Sequence, residues 1–80
     1  GDGFCVNGAL NLNQIRHRTG FNAAATEDYQ TLAGLVMSLL DRLPMVGDSL
    51  EHAGWRLTVA TVEERRVTQV LLRPCDGHSA

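Results

Sequence analysis

The chain has 80 residues, 44% of them apolar and 20% charged, a balance that suits one globular domain and excludes a disordered segment or several domains. Its net charge of −2 comes from nine acidic residues and seven arginines, with no lysine, so no basic stripe is present to neutralise a run of nucleic-acid phosphates. No apolar run reaches the roughly 20 residues of a membrane-spanning helix, and two cysteines, Cys5 and Cys75, are too few for a disulfide scaffold.

Gly1-Asp2-Gly3 reads as a flexible start and Phe4-Cys5-Val6 as a short strand. Asn7-Gly8 is a two-residue hairpin signal, because both residues tolerate positive φ, and Ala9-Leu10 is expected to return as the partner strand. Asn11 follows as a helix N-cap, and Gln14, three residues on, completes a capping-box pattern. Leu12 and Ile15 give this short helix one apolar edge, and Gly20 suits its left-handed C-terminal position. Residues 21–28 read as a polar-to-small linker.

A second helix is expected to begin between Asp28 and Thr31. Leu32, Leu35, Val36, Leu39, Leu40 and Leu43 stand at offsets 0, 3, 4, 7, 8 and 11, one stripe of a helix with a 3.6-residue period. Pro44 ends it, since the residue before proline is pushed out of the α region. Ala33, Gly34 and Met37 make the flanking face small or apolar, which predicts burial on more than one side. Gly34 costs about 1 kcal/mol against alanine, so a strand or second helix is expected to approach it closely.

After the Gly47-Asp48 turn the pattern becomes β. Ser49 to His52 is a strand, Ala53-Gly54 a tight turn, and Trp55, Leu57, Val59 and Thr61 alternate with Arg56, Thr58, Ala60 and Val62. Glu63 to Arg65 turns again, and Val67 to Leu72 forms the last strand. Val67 and Val70, three apart, face one side only if a β-bulge near Thr68-Gln69 re-aims them. Pro74 closes the sheet, and residues 74–80 form a flexible tail. The reading is α+β: a two-layer sandwich in the order ββ-αα-βββ, with two helices on one face of an antiparallel sheet.

Catalytic chemistry finds no motif. Cys5, Cys75, Ser38 and Ser49 are the nucleophile candidates and His17, His52 and His78 the bases, but none is spaced as a nucleophile–base set. Cys5 is expected to be a small core hydrophobe. The two cysteines are expected to be reduced, a bridge between the chain ends being the alternative. Cys75-Asp76-Gly77-His78 offers two metal ligands where a structural zinc site needs four. Glu27-Asp28, Asp41, Asp48-Glu51 and Glu63-Glu64 lack the density of a divalent-cation site and read as cap and turn charges. Trp55 reads as core filling, with an interface anchor as the alternative; Met37 and Met45 read as gap fillers. No residue is therefore assigned a catalytic, cofactor-binding or metal role.

Several strings nevertheless have a family likeness. The run from Asp2 through Leu10, the block Glu27-Asp28-Tyr29-Gln30-Thr31-Leu32-Ala33-Gly34-Leu35-Val36, and Leu39-Leu40-Asp41-Arg42-Leu43-Pro44 resemble the transporter-associated (CorC/HlyC) domain. Val46-Gly47-Asp48 and the closing strands through Arg65-Arg66-Val67 continue the likeness, which covers about Asp2 to Arg73. Asn11 stands where proline is common, Gln30 where an acidic cap is common, and Ala53 where a hairpin Asp or Asn is common. The resemblance implies a C-terminal piece of a larger bacterial protein, following a pair of CBS domains and often a membrane domain. The whole of residues 1–80 is then one regulatory and assembly domain, without cofactor, for magnesium and cobalt transport or efflux. It implies as partners a second copy (a homodimer), the CBS pair, or both, with weak divalent-cation binding left open, and a location in the cytoplasm or on the cytoplasmic face of the inner membrane. Two alternatives stand beside this: the regulatory domain of a sodium or potassium/proton antiporter, and a small-ligand or divalent-ion sensor.

Overall fold

The computed structural model describes residues 3–23 and 25–75. Its elements run β1 (Phe4–Asn7), α1 (Leu12–Thr19), α2 (Leu32–Leu40), β2 (Ser49–His52), β3 (Trp55–Glu63) and β4 (Arg66–Pro74). The strands form one antiparallel sheet in the order β1-β4-β3-β2. Both helices lie against one face of it, so the α+β two-layer sandwich read from the sequence is the architecture found.

The core joins the two layers. Leu12 and Ile15 of α1 and Leu32, Leu35 and Val36 of α2 are fully buried against Leu57, Val59, Val67, Val70 and Leu72 of the central strands. Phe21 is the largest buried side chain. It lies in the segment read as a plain linker, and it fills the space beside α1 because a ring of that size has too much apolar area to leave in water.

The element order departs from expectation at one place. Ala9-Leu10 forms no return strand; β1 pairs instead with β4, Phe4 opposite Leu72 and Asn7 opposite Gln69. A two-residue strand cannot compete with the nine-residue edge of β4, and Leu10 is drawn toward the core. The Asn7 side chain closes the resulting turn by accepting from the Ala9 N–H at 2.7 Å. Gly8 then donates its N–H to Thr68 O and accepts from the Ala33 N–H, both at 2.9 Å. A Cβ on Gly8 would lie 2.5 Å from Val67 O, so only glycine lets the three segments meet.

The helix ends follow local chemistry. Asn11 and Gln14 form the expected capping box, and Gly20 ends α1 in the left-handed conformation with its N–H on Arg16 O. Thr31 caps α2 by accepting from the Gly34 N–H. The expected continuation of α2 to Leu43 does not occur. Asp41 takes left-handed angles (φ 56°), its N–H bonds to Met37 O, and the helix stops three residues early. A short acidic side chain tolerates that conformation, and Pro44 denies the following turn its helical geometry. Gly34 is approached not by a strand or another helix but by Tyr29 and Thr31 of the segment leading into α2.

The two hairpins match the sequence reading. Ala53-Gly54 joins β2 to β3 with both residues at positive φ, and Glu64-Arg65 joins β3 to β4 likewise. Val59 pairs with Val70, Thr61 with Gln69 and Val62 with Val67, which leaves Ala60 on β3 and Thr68 on β4 as extra residues. The bulge expected near Thr68-Gln69 is there, with a second one opposite, and Val67 and Val70 both point into the core.

Two substitutions test this account. Gly8→Ala forces a methyl against the Val67 carbonyl and is expected to destabilise by about 1–3 kcal/mol, the usual cost of overpacking. Ala53→Gly relieves a left-handed alanine and is expected to stabilise by up to about 1 kcal/mol, the left-handed penalty less the extra unfolded-state entropy of glycine. Urea midpoints at constant m-value are the measurement for both.

Candidate functional site

The residues weighed for chemistry are scattered. Cys5 is exposed on edge strand β1 and is not the core hydrophobe expected. Its neighbours Phe4 and Val6 face the helices, so strand alternation turns Cys5 to the uncovered face of the sheet. Cys75 is half-buried just past β4, its N–H on Gly54 O at 2.8 Å. Cys5 stands opposite Leu71, four residues before Cys75. Four strand residues span roughly 13 Å, beyond the reach of a disulfide at about 7 Å, so the alternative of a bridge between the chain ends is excluded. Ser38 and His17 are exposed on α2 and α1, Ser49 is exposed at the start of β2, and His52 is half-buried at its end. His78 and the Asp76-Gly77 of the tail string lie outside the described residues.

Among the described residues, no three His, Cys, Asp or Glu side chains lie close enough to share a metal ion. No helix among them is long and apolar enough to cross a membrane. Glu51 pairs with Arg56 across the β2–β3 hairpin at 2.8 Å, on the open sheet face. Glu27, Asp28, Asp41, Glu63 and Glu64 are exposed. Trp55 is half-buried, edge-on to Phe21 with ring centres 6.0 Å apart and tilted against Phe4 at 6.2 Å, so it serves the core's margin.

Two clefts stand out among the described residues. The larger, about 530 Å³, lies where β1 ends, α2 begins and β4 begins; Gly8, Ala33, Gly34, Met37, Arg66 and Thr68 line it. It does not offer the free N–H groups of a helix start. The first-turn N–H groups of Leu32, Ala33, Gly34 and Leu35 already bond Leu10 O, Gly8 O, Thr31 Oγ1 and Thr31 O. The smaller, about 390 Å³, lies beside α1 against Leu12, Asn13, Arg16, Ala23 and Ala25.

The feature that stands apart is apolar. The inner stripe of α2 is fully covered at Leu32, Leu35 and Val36, but Leu39, in the same stripe, is 42% exposed. Leu43 follows at 51%, then Met45 and Val46 at 65% each, so Met45 fills no gap. Met37, 38% exposed, borders the larger cleft instead of packing inside. The loop carrying Leu43 to Val46 is nevertheless built firmly. Asp48 accepts from Arg42 at 2.9 Å and from the Met45 N–H at 2.8 Å, and the Asp48 N–H returns to Met45 O. Gly47 N–H and Asp48 O both bond Val59, and Pro44 is buried beneath. Arg42's hydrogen bond, aided by the Met45 N–H, holds the Asp48 carboxyl below the usual carboxylate range. The sequence named the pieces, Gly47-Asp48 and Pro44, but assigned Leu43 to a helix and Met45 to the interior.

Comparisons with known proteins agree in one direction. The transporter-associated domain family CorC_HlyC matches residues 1–76. A CorC_HlyC domain from a Xylella fastidiosa hemolysin shares 32% identity at a TM-score of 0.78, covering 91% of this chain and 85% of that one. The same domain is also known in complex with Mg++ and Mn++ (TM-score 0.77, 32% identity, 90% and 86% covered). A Neisseria meningitidis region, described as associated with a putative Mg2+ and Co2+ transporter (CorC), superposes at 0.80 with 25% identity, covering 90% and 88%. The UPF0053 protein MT1890 of Mycobacterium tuberculosis is 28% identical over 99% of this chain. The chain spans only 20% of that relative's length.

The Asp48 clasp makes a pH prediction. Because its folded carboxyl titrates below its unfolded value, its contribution is full above the unfolded value and is lost as pH falls through the folded one. Asp48→Asn is expected to flatten the stability profile below about pH 4 and to speed hydrogen exchange at the Met45 N–H at neutral pH. Acid titration of the melting temperature and amide exchange are the two readouts.

Proposed function

The chain belongs to the transporter-associated (CorC/HlyC) domain family, and on that premise we propose that it is a regulatory and assembly module of a divalent-cation transport or efflux protein. In this reading it does no chemistry. It sits on the cytoplasmic side with CBS domains in the same polypeptide, and helps set the conformation of the part that moves magnesium or cobalt.

The observation that supports the reading is the firmly held apolar surface of Leu39, Leu43, Met45 and Val46. A contiguous exposed apolar patch is often functional, as a site of contact with another protein surface. The cations come from the Neisseria neighbour, a region associated with a putative Mg2+ and Co2+ transporter. The short fraction of the Mycobacterium relative that the chain covers supplies the larger protein.

One observation favours a second reading, a divalent-ion sensor: the Xylella domain, 32% identical, is known in complex with Mg++ and Mn++. The two readings part in a simple experiment. Thermal unfolding of the dialysed domain is measured with and without magnesium, manganese, cobalt and ATP. A ligand at 100 times its dissociation constant adds about 2.7 kcal/mol, a shift on the order of 10 °C for a domain of this size. The contact-module reading expects no shift at millimolar ion and a changed efflux rate when the domain is deleted from its parent. A shift with one metal alone establishes the sensor reading.

A further inference from the structure

We infer that Asn7 is a modification site. Its side-chain amide is lost as ammonia through a cyclic imide formed with the Gly8 backbone nitrogen, and the hydrogen bond from the Gly8 N–H to Thr68 O is the gate. This inference goes beyond the proposed function and does not rest on it. Asn7-Gly8 is the one Asn-Gly pair in the chain; Asn11, Asn13 and Asn22 precede Leu, Gln and Ala. Glycine has no Cβ to shield its amide nitrogen, so that nitrogen meets little hindrance in attacking a carbonyl carbon beside it. Asn7 is exposed at the end of edge strand β1, where water is at hand.

The atoms balance with water alone. The Gly8 nitrogen gives up its proton and bonds to Asn7 Cγ, and the negative charge passes to Oδ1. As that charge returns, the Cγ–Nδ2 bond breaks and ammonia leaves with the proton. One water then opens the five-membered imide. Cleavage between the Gly8 nitrogen and Cγ yields aspartate at position 7 on the original backbone. Cleavage between the Gly8 nitrogen and the main-chain carbonyl carbon yields an isoaspartyl link, with the backbone running through Cγ and one carbon longer.

The turn supplies one half of this chemistry and withholds the other. Asn7 Oδ1 already accepts from the Ala9 N–H at 2.7 Å, so a donor stands where negative charge develops as Cγ is attacked. The nucleophile is what the fold holds back. The Gly8 N–H is bonded to Thr68 O and Gly8 O to the Ala33 N–H, both at 2.9 Å. Gly8 is buried, and an added Cβ would lie 2.5 Å from Val67 O, so the residue is packed tightly against β4. Its nitrogen is not free to swing toward Cγ while the junction is closed. Freeing it does not require global unfolding. β1 is a four-residue edge strand held by β4 on one side only, and such a strand end opens at a smaller free energy than the core. The isoaspartyl product does not close again in register, because the longer backbone displaces Gly8 from Thr68 and Ala33. The aspartate product keeps an acceptor for the Ala9 N–H and does close.

The test incubates the 80-residue chain at mildly alkaline pH, folded and in unfolding urea. It follows the mass gained as NH2 is replaced by OH, and peptide mapping places the change. Asp2-Gly3 and Asp76-Gly77 pass through the same ring with no net change in mass, so they do not interfere. The gated site predicts modification at Asn7 before any other asparagine, at least about 10-fold slower in the folded chain than in urea. It predicts that this slowing matches the hydrogen-exchange protection of the Gly8 N–H and falls well short of that of the slowest core amides. The isoaspartyl product is expected to shift the amide resonances of Gly8, Ala33 and Thr68, whereas Asn7→Asp leaves them in place. Equal rates in the folded and urea-treated chains overturn the gate. Slowing as large as the protection of the core amides assigns the reaction to the globally unfolded chain and overturns it too. Reaction at Asn11, Asn13 or Asn22 ahead of Asn7 overturns the site.

Discussion

Everything in this fold passes through Gly8. Its amide bonds β4 at Thr68 and its carbonyl bonds the first turn of α2 at Ala33, so one residue without a side chain ties the edge strand, the central strand and the second helix together. From that junction the next contacts follow. Leu10 O takes the Leu32 N–H, Gln30 O takes the Leu12 N–H, and Asn11 bridges Thr31, so the two helix caps stand side by side. Helix starts normally leave four N–H groups in search of partners; here each helix's entry strip supplies some of them for the other. The layers are therefore registered at their polar ends, and the apolar stripes of α1 and α2 are aimed at the sheet before any side chain packs.

That registration also explains where the core stops. With the start of α2 held at Gly8, its length decides how far its stripe travels. The sheet beneath is widest where β1 and β2 flank the central pair, and both flanking strands are only four residues long. The stripe outlasts the cover, and Leu39, Leu43, Met45 and Val46 are left outside, while Leu40 stays at the core's margin. Nothing about those side chains differs chemically from the buried leucines; only the extent of the opposing layer does.

The same contrast separates what was legible in the sequence from what was not. Local rules read well. The Asn11–Gln14 box, the Gly20 end, the Ala53-Gly54 and Glu64-Arg65 turns, and the bulge demanded by Val67 and Val70 depend on residues within a few positions of one another. Failures came where a distant partner decided. Ala9-Leu10 has hairpin chemistry behind it, yet loses β1 to β4, some sixty residues away. Cys5 looks like a core thiol until the register with Leu71 and the covering of one face alone are known. Leu43 fits the helical period, but Asp41 takes a left-handed cap, a choice that Asn or Asp makes only in context. The exposed apolar stripe was hidden for the same reason, because a periodic stripe says which face is apolar and not how much of it is covered. Family membership, in contrast, was legible in strings such as Tyr29 to Pro44, since those strings preserve the spacing of the entire α2 unit.

A domain of 80 residues buries only about 60% of the surface its unfolded chain exposes, and in this one part of the shortfall is concentrated in a single stripe. Any partner that covers the stripe thereby completes the core, so docking and folding stability become one quantity. By linkage the coupling runs both ways. A neighbour whose conformation presents the apolar face stabilises this domain, and this domain shifts the neighbour toward that conformation by the same free energy. Coupling of this kind needs no ligand site or catalytic group. It needs a rigid apolar surface with a defined shape, and the Asp48 clasp over a buried Pro44 supplies that rigidity from four residues of loop.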